Sequence, residues 1–174
     1  MSVKKESWEW AKALLIAFVL AALIRYFLFA PIIVDGRSMM PTFHNHDRLI
    51  INKLAYDIGE PHRFDIIVFH ATPTKDFIKR VIGLPGDHIV YRDDTLYVNG
   101  NKVKEPYLQP YKQKTKGDLT RDFETTVPKG DLFVMGDNRL HSKDSRIIGP
   151  VEEDDVVGKV VLQFWPLSDF HIVK

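Results

Sequence analysis

The segment Asp94–Val103 reads DTLYVNGNKV and places Asn99 and Gly100 between two stretches of alternating apolar and polar residues. An Asn-Gly pair in this setting is a strong signal for a β-hairpin, because both residues tolerate the positive φ angles of a tight turn. The alternation on each side is typical of a strand with one buried face. The segment therefore predicts two antiparallel strands joined by a two-residue turn.

Short segments rich in β-branched residues extend this pattern along the chain. They are Asp47–Lys53, Phe64–Phe69, Phe77–Ile82, Leu132–Met135 and Val156–Phe164. The predicted fold class is mainly β, an antiparallel sheet or barrel-like domain over residues 31–174. Within it, residues 104–129 are polar and contain Pro and Gly, which predicts a surface excursion.

The first thirty residues differ from the rest, because residues 10–30 are nearly all apolar apart from Lys12 and Arg25. A helix of about 20 residues matches the roughly 30 Å hydrocarbon core of a bilayer. We expect one N-terminal transmembrane helix, with Lys12 and Arg25 reaching the interface, residues 1–9 in the cytoplasm and residues 31–174 outside. A cleaved signal peptide and a buried helix of a soluble domain are the alternatives.

The composition excludes several classes of function. The 174 residues include 24 Lys and Arg, 23 Asp and Glu, and no Cys, which gives a formal net charge of +1. So small a charge argues against nucleic-acid binding by bulk charge. Without Cys there is no disulfide, thiolate nucleophile or Cys-based zinc site. His44 and His46 have no third ligand in the sequence pattern, so we expect no metal and no cofactor.

A serine in a constrained turn is the first candidate for chemistry. The segment Gly36–Thr42 reads GRSMMPT. Gly36 permits unusual backbone angles and Pro41 fixes one, so together they can hold Ser38 in an exposed turn. A serine nucleophile needs a base, and none of the seven His residues lies in a protease-like motif. The residues alone also allow an ordinary loop serine.

Lys79 is a candidate base because its strand places it among apolar side chains. The segment Phe77–Asp87 reads FIKRVIGLPGD, and residues two apart share a strand face, so Phe77 and Val81 flank Lys79. Burial disfavours the charged amine, and lowering its pKa from about 10.4 to near 8 requires roughly 3–4 kcal/mol. A neutral lysine can activate a serine. The alternative is a solvated or salt-bridged lysine at a strand edge.

The segment Gly136–Arg146 reads GDNRLHSKDSR and is too rich in turn formers and charge for a core strand. Asp144 and Arg146 can pair, Asp137 can cap its own turn, and the Ser142 hydroxyl can orient a neighbouring base. The alternative is a polar loop whose groups satisfy one another.

These three segments resemble the signature motifs of bacterial type I signal peptidases, the Ser/Lys-dyad leader peptidase family, and they occur in the same order. The resembling stretches are SMMPT at Ser38–Thr42, KRVIGLPGD at Lys79–Asp87 and the whole of Gly136–Arg146, with DRLIINK at Asp47–Lys53 between the first two. The single anchor and short length are similar to family members from Gram-positive bacteria.

The resemblance implies a serine endopeptidase that is anchored in the bacterial cell membrane and removes signal peptides from secreted preproteins. Its partners would be these preproteins and the lipid bilayer, with no nucleic acid and no cofactor. Ser38 would be the nucleophile and Lys79 the general base. Ser142 would orient Lys79, and Asp144 and Arg146 would form an ion pair that shapes the loop.

The family cleaves after small residues at the first and third positions before the bond, and Val34, Met39 and Ile78 are candidates for the pocket wall because they flank the dyad in sequence. Gly36 stands where some members have a hydroxyl residue that donates to the oxyanion, so a second donor is unassigned. Leu140 stands where other members have Asp, and we do not expect this difference to abolish activity.

Two other functions fit part of the pattern. A soluble Ser/Lys autoprotease of the repressor type would share the dyad, but the apolar segment and the lack of a DNA-binding helix pair argue against it. An anchored β-barrel adhesion or assembly module would share the fold, and it would keep its function without Ser38 and Lys79.

Overall fold

A computed structural model of the chain describes residues 3–173, with side chains described at residues 7–22 and 28–173. The helices are α1 Val3–Phe27, α2 Ala55–Ile58, α3 Gln109–Lys112 and α4 Ser145–Ile148. The strands are β1 Phe29–Ile33, β2 Arg48–Asn52, β3 Ile66–Thr72, β4 Lys75–Gly83, β5 His88–Arg92, β6 Thr95–Val98, β7 Asn101–Val103, β8 Phe123–Thr126, β9 Asp131–Met135, β10 Val151–Glu152, β11 Val156–Trp165 and β12 His171–Ile172. Short 3-10 turns lie at Pro106–Leu108, Glu153–Asp155 and Leu167–Asp169.

Two antiparallel sheets form the domain among these residues. The larger sheet has eight strands in the order β1-β2-β11-β3-β4-β9-β10, with β12 paired to β11. The smaller sheet has the order β7-β6-β5-β8. The prediction of a mainly β, antiparallel domain is confirmed.

The predicted hairpin is observed at the expected residues. Val98 pairs with Asn101, and the turn residues Asn99 and Gly100 have φ angles of 50° and 80°. These are the positive φ values that favour an Asn-Gly pair. The local sequence therefore determines this turn without help from the rest of the molecule.

Strand β4 contributes side chains to all three apolar clusters of the interior. Ile78 packs against the cluster beneath the Ser38 turn, which includes Met39. Ile82 belongs to the cluster under the smaller sheet, and Val81 belongs to the third cluster. A strand that packs on every side has little freedom to shift, because each shift would open a cavity. The residue between Ile78 and these positions, Lys79, is held in the same way.

Helix α1 covers most of the segment predicted to be an anchor, and its large apolar side chains Trp8, Trp10 and Phe18 are exposed. In the part of the chain that the structure describes, no helix is long and apolar enough to cross a membrane. The transmembrane helix of the predicted fold class is thus not found there. The side chain of Arg25, which we expect at the interface, lies outside the described residues.

The segment 104–129 is only partly the surface excursion that its composition predicts. Its residues Phe123–Thr126 form β8 and pair with β5. Five of its side chains are buried, namely Glu105, Leu108, Leu119, Thr120 and Val127. For these positions the expectation is wrong, because single inward-facing residues separated by polar ones leave no periodic signal in the sequence.

A buried ion pair explains why Glu105 faces inward. Arg139 Nη2 donates to Glu105 Oε1 at 2.5 Å, and Arg139 Nη1 donates to the Tyr91 hydroxyl at 2.6 Å and to Thr120 Oγ1 at 3.2 Å. The Tyr107 hydroxyl donates to the same Glu105 oxygen at 2.8 Å. Buried charges persist in proteins when they are paired and hydrogen-bonded in this way. The cluster ties the 136–146 loop to the smaller sheet and to the 104–129 segment.

We expect Glu105→Ala to lower the free energy of unfolding by about 3–5 kcal/mol, because it leaves the Arg139 guanidinium buried without a counter-charge. Urea unfolding followed by circular dichroism measures the difference. The matched control is Glu124→Ala, which removes an exposed pair with His88 and is expected to cost less than about 1 kcal/mol. Equal losses in the two variants would contradict a special role for the buried pair.

Candidate active site

Ser38 lies half-buried in the turn between β1 and β2. Gly36 has a φ of 102°, in the region that favours glycine, and its N–H donates to Asn45 Oδ1 at 2.8 Å. The Met40 N–H donates to the Arg37 carbonyl at 3.2 Å and closes the turn. The structure therefore places Ser38 in the constrained turn that the sequence predicts.

Lys79 projects from β4 towards this turn. Its Nζ lies 2.8 Å from Ser38 Oγ, within hydrogen-bond distance, and donates to the Ile78 carbonyl at 2.9 Å. The Phe77 ring lies 4.9 Å from the same nitrogen. Only 3% of Lys79 is exposed. The alternative of a solvated lysine at a strand edge is wrong, because apolar neighbours enclose this amine.

The loss of water changes the acidity of Lys79. Burial lowers its pKa from 10.5 to about 8, against the opposing negative charges of Asp144 and Asp137. Both carboxylates are bound to arginines, Asp144 to Arg146 and Asp137 to Arg80. These arginines largely compensate the two negative charges. The loss of water therefore outweighs them, and the pKa of Lys79 falls.

A buried cluster joins one residue from each of the three motif segments, Gly36–Thr42, Phe77–Asp87 and Gly136–Arg146. Arg80 donates from Nε to Asp137 Oδ1 at 2.9 Å and from Nη2 to Asp137 Oδ2 at 2.7 Å. Thr42 Oγ1 donates to Asp137 Oδ2 at 2.5 Å. Arg80, which lies on the strand face opposite Lys79, thus binds the Asp137 carboxylate in a bidentate pair. Asp137 therefore does not cap its own turn, although the sequence suggests that it does.

The predicted pair of Asp144 and Arg146 is confirmed. Arg146 donates from Nε to Asp144 Oδ1 and from Nη2 to Asp144 Oδ2, each at 2.8 Å. The Gly136 N–H donates to Asp144 Oδ2 at 2.9 Å. Burial by itself raises the pKa of Asp144, but Arg146 and the Gly136 N–H outweigh it, so this pKa lies below its usual range. Arg146 Nη2 also donates to the Arg139 carbonyl at 2.8 Å and closes the loop.

The 136–146 loop is bonded directly to the Ser38 turn. The Asn138 N–H donates to the Ser38 carbonyl at 2.9 Å, and Asn138 Nδ2 donates to the Arg37 carbonyl at 3.0 Å. A Cβ at Gly136 would collide with the Ser38 carbonyl oxygen and with Ser142 Oγ. The close approach of loop and turn thus requires glycine at position 136.

Ser142 lies at this contact, but not in the hydrogen bond that the resemblance implies. Its Oγ is buried and, among the described residues, has no hydrogen-bond partner by geometry, although the hydroxyl is near enough to Asp144 to help lower the pKa of that carboxyl. The hydrogen-bond partners of Lys79 Nζ in this part of the chain are Ser38 and Ile78.

A cleft of about 490 Å³ opens above Ser38 and Lys79. The three pocket candidates from the sequence, Val34, Met39 and Ile78, all lie in its wall. Other lining residues that flanking sequence alone did not single out are Ile32, Ile33, Asp35, Arg37, Val68, Asp76, Phe77, His141 and Lys143. Within the described residues, no group of three or more His, Asp or Glu side chains is placed to hold a metal ion.

Sequence reasoning missed the partners that hold the site from a distance, above all Thr42, Arg80 and Glu105. The residue after Lys79 is Arg80, on the opposite strand face, and the loop carries Asp137, which the sequence predicts to cap its own turn. These two opposite charges are the signal from which their pairing could have been predicted. No local pattern pointed to Glu105, because its partner is 34 residues away.

Comparison with known proteins identifies the family of the chain. The family model described as "Signal peptidase, peptidase S26" matches residues 7–165. The chain belongs to this family. A signal peptidase I of Bacillus caldolyticus is 53% identical over 171 residues, which cover 94% of this chain and 92% of that relative. The signal peptidase IB of Staphylococcus aureus (strain Mu50 / ATCC 700699) is 41% identical over 97% of this chain and 94% of its own.

A solved signal peptidase structure is similar as well. The crystal structure of a signal peptidase I from Enterococcus faecalis V583 matches with 43% sequence identity and a TM-score of 0.56. The match covers 59% of this chain and 97% of the Enterococcus faecalis chain. The resemblance of the chain to the signal peptidases is therefore confirmed. Each of the three motif segments contributes residues to the cleft, together with residues 32–35, Val68 and Asp76.

Proposed function

We propose that this signal peptidase, which cleaves signal peptides from preproteins, uses Ser38 as its nucleophile and neutral Lys79 as its general base. The observation that carries the proposal is the 2.8 Å separation of Lys79 Nζ and Ser38 Oγ at an amine that is almost fully buried. A hydroxyl is a weak nucleophile at neutral pH, and an adjacent base that has lost its own proton activates it.

The reaction proceeds in two steps in this proposal. Lys79 takes the Ser38 proton as Oγ attacks the carbonyl carbon of the cleaved bond, and the resulting ammonium gives that proton to the leaving amine as the C–N bond breaks. The signal peptide is then an ester of Ser38. Lys79 takes a proton from an attacking water and returns it to Ser38 Oγ as the ester hydrolyses.

The Ser38 N–H is the proposed donor to the oxyanion that develops in each step. Gly36 has no side chain to supply a second donor. The hydrogen bond from its N–H to Asn45 holds the turn in place instead. The bonds from Asn138 to the Arg37 and Ser38 carbonyls support the same backbone from the other side. A preorganised donor is effective because it does not reorient during the reaction.

The cleft is suited to small apolar side chains before the cleaved bond. Val34, Met39 and Ile78 line it, and Val34 and Met39 are themselves packed into the core beneath. Val34 and Met39 cannot move aside for a large substrate side chain without disrupting the packing of the core. An extended substrate can add to the exposed edge near residues 32–35, because β1 pairs with β2 alone among the described strands.

Attachment to the cell membrane through α1, with the catalytic domain on the outer face, completes the proposal. The exposed apolar residues of α1 are accompanied by Phe29, Trp165 and Phe170 on the domain, which are also exposed. Large exposed apolar side chains favour a lipid surface. Attachment would raise the effective concentration of substrates whose signal segments occupy the same bilayer.

Loss of either member of the dyad is expected to remove activity. Ser38→Ala, Lys79→Ala and Lys79→Arg should each lower kcat/KM for a preprotein by about 10³-fold or more. Lys79→Arg fails because arginine keeps its proton in proteins. The measurement incubates the full chain in detergent with a preprotein and reads the new N-terminus. Lys129→Ala, at an exposed position, is the control, and an active Lys79→Arg variant would contradict the dyad.

The activity is expected to depend on pH through Lys79. Since burial lowers the pKa of Lys79 to about 8 and the neutral amine is the reactive form, kcat/KM should rise about tenfold per pH unit below pH 8 and level off above it. Initial rates from pH 5 to 10 measure the profile, with circular dichroism at each pH to show that the fold persists. A flat profile between pH 5 and 9 would rule out a lysine base.

The attachment is tested by flotation of the full chain with phospholipid vesicles. We expect a variant carrying Leu15→Asp and Phe18→Asp on α1 to lose at least about tenfold in vesicle binding, because the carboxylates oppose burial in the bilayer. The control is Ile58→Asp, at an exposed apolar residue of α2. Equal binding by all three proteins would overturn attachment through α1, and resistance of the domain to external protease in intact cells would overturn the outer location.

A further inference from the structure

The two ends of the cleft differ in their chemistry. On the N-terminal side of Ser38 the wall is mainly apolar. Its apolar side chains come from Ile32 on β1, Val34 after it and Ile78 on β4. On the carbonyl side of Ser38, the 136–146 loop supplies His141 and Lys143, both exposed. A substrate that crosses the dyad therefore meets apolar residues on one side and basic residues on the other.

The Lys143 backbone is fixed even though its side chain is exposed. Its neighbour Asp144 is buried and accepts hydrogen bonds from the Gly136 N–H and from the Arg146 guanidinium. Its other neighbour, Ser142, packs against Gly136 beside the Ser38 carbonyl. A charge carried on so rigid a segment stays at a defined place beside the dyad.

The positive charge of Lys143 is not compensated within the described residues, because no carboxylate there lies within ion-pair distance of it. The acidic residues of the cleft are Asp35, which follows β1, and Asp76 on β4, so both lie beside its apolar residues and not on the 136–146 loop. Asp76 lies 2.7 Å from His70. Arg37, the residue before the nucleophile, also lines the cleft and adds positive charge near the dyad.

We infer that Lys143 is a specificity-determining residue that favours an acidic side chain at the first or second position after the cleaved bond. The inference rests on the proposed function, since the small apolar residues before the bond occupy the apolar end, and the residues that follow the bond must then extend towards the loop. The group that Lys143 would bind is thus the side-chain carboxylate of an Asp or Glu among the first two residues of the mature protein.

The size of the effect follows from the exposure of Lys143. Two opposite charges about 4 Å apart in water attract by about 1 kcal/mol, which corresponds to a roughly fivefold preference. Salt screens such exposed charges, so the preference should shrink as the salt concentration rises.

The test compares peptides that share a cleavable sequence and differ only at the second position after the bond, which is Asp, Ala or Lys. For the wild-type full chain we expect kcat/KM for the Asp peptide to exceed that for the Lys peptide by about three- to tenfold at low salt. Lys143→Glu should reverse the order. Because the ratio is taken within one preparation, partial misfolding of a variant cancels from it.

The matched control is Lys129→Glu, which makes the same change of net charge at an exposed position outside the cleft. It should keep the wild-type ratio. An unchanged ratio in Lys143→Glu overturns the inference, and so does an equal shift in both variants, since overall charge would then be the cause. Failure of the wild type to cleave the Ala peptide would overturn the proposed function as well, whereas cleavage with no charge preference overturns the inference alone.

Discussion

The amine of Lys79 is almost fully buried at the floor of the cleft and has lost most of its contact with water. The other polar features of the site are arranged around that constraint. A fall in pKa from 10.5 to about 8 corresponds to about 3 kcal/mol of lost stabilisation of the charged form. A nearby free carboxylate would cancel this effect by restoring the charge. Asp137 and Asp144 are both buried close by, and each is bound in a bidentate pair to an arginine of its own.

Two buried arginines, Arg80 and Arg139, also hold together segments that are far apart in the chain. Arg80 and Asp137 are 57 residues apart, Thr42 and Asp137 are 95 apart, and Arg139 joins the loop to Glu105. Buried ion pairs contribute little net stability compared with apolar packing. Their geometry is demanding, however, and here it sets where the Ser38 turn, β4 and the 136–146 loop meet. The cleft is the space left between these three segments.

Local patterns predicted the secondary structure well where they depend on neighbouring residues. The Asn99-Gly100 hairpin, the strand around Lys79 and the turn around Ser38 lie where the sequence places them, because period-two alternation and glycine or proline act within a few residues. The segment 104–129 was predicted less well. Its buried residues Glu105 and Thr120 face inward only because Arg139 arrives from another part of the chain.

The sequence by itself determined most of the strands, the hairpin turn, the constrained serine and the family, since these follow from residue order and from motifs read along the chain. The tertiary structure alone decided that Lys79 loses its water, that its Nζ comes within 2.8 Å of a hydroxyl 41 residues away, and that Arg80 rather than its own turn binds Asp137. These are properties of desolvation and of long-range pairing, which depend on the atoms that surround a residue in space. Strand alternation made Lys79 a candidate for burial, but it left a solvated lysine as the alternative, and it does not encode the long-range contacts.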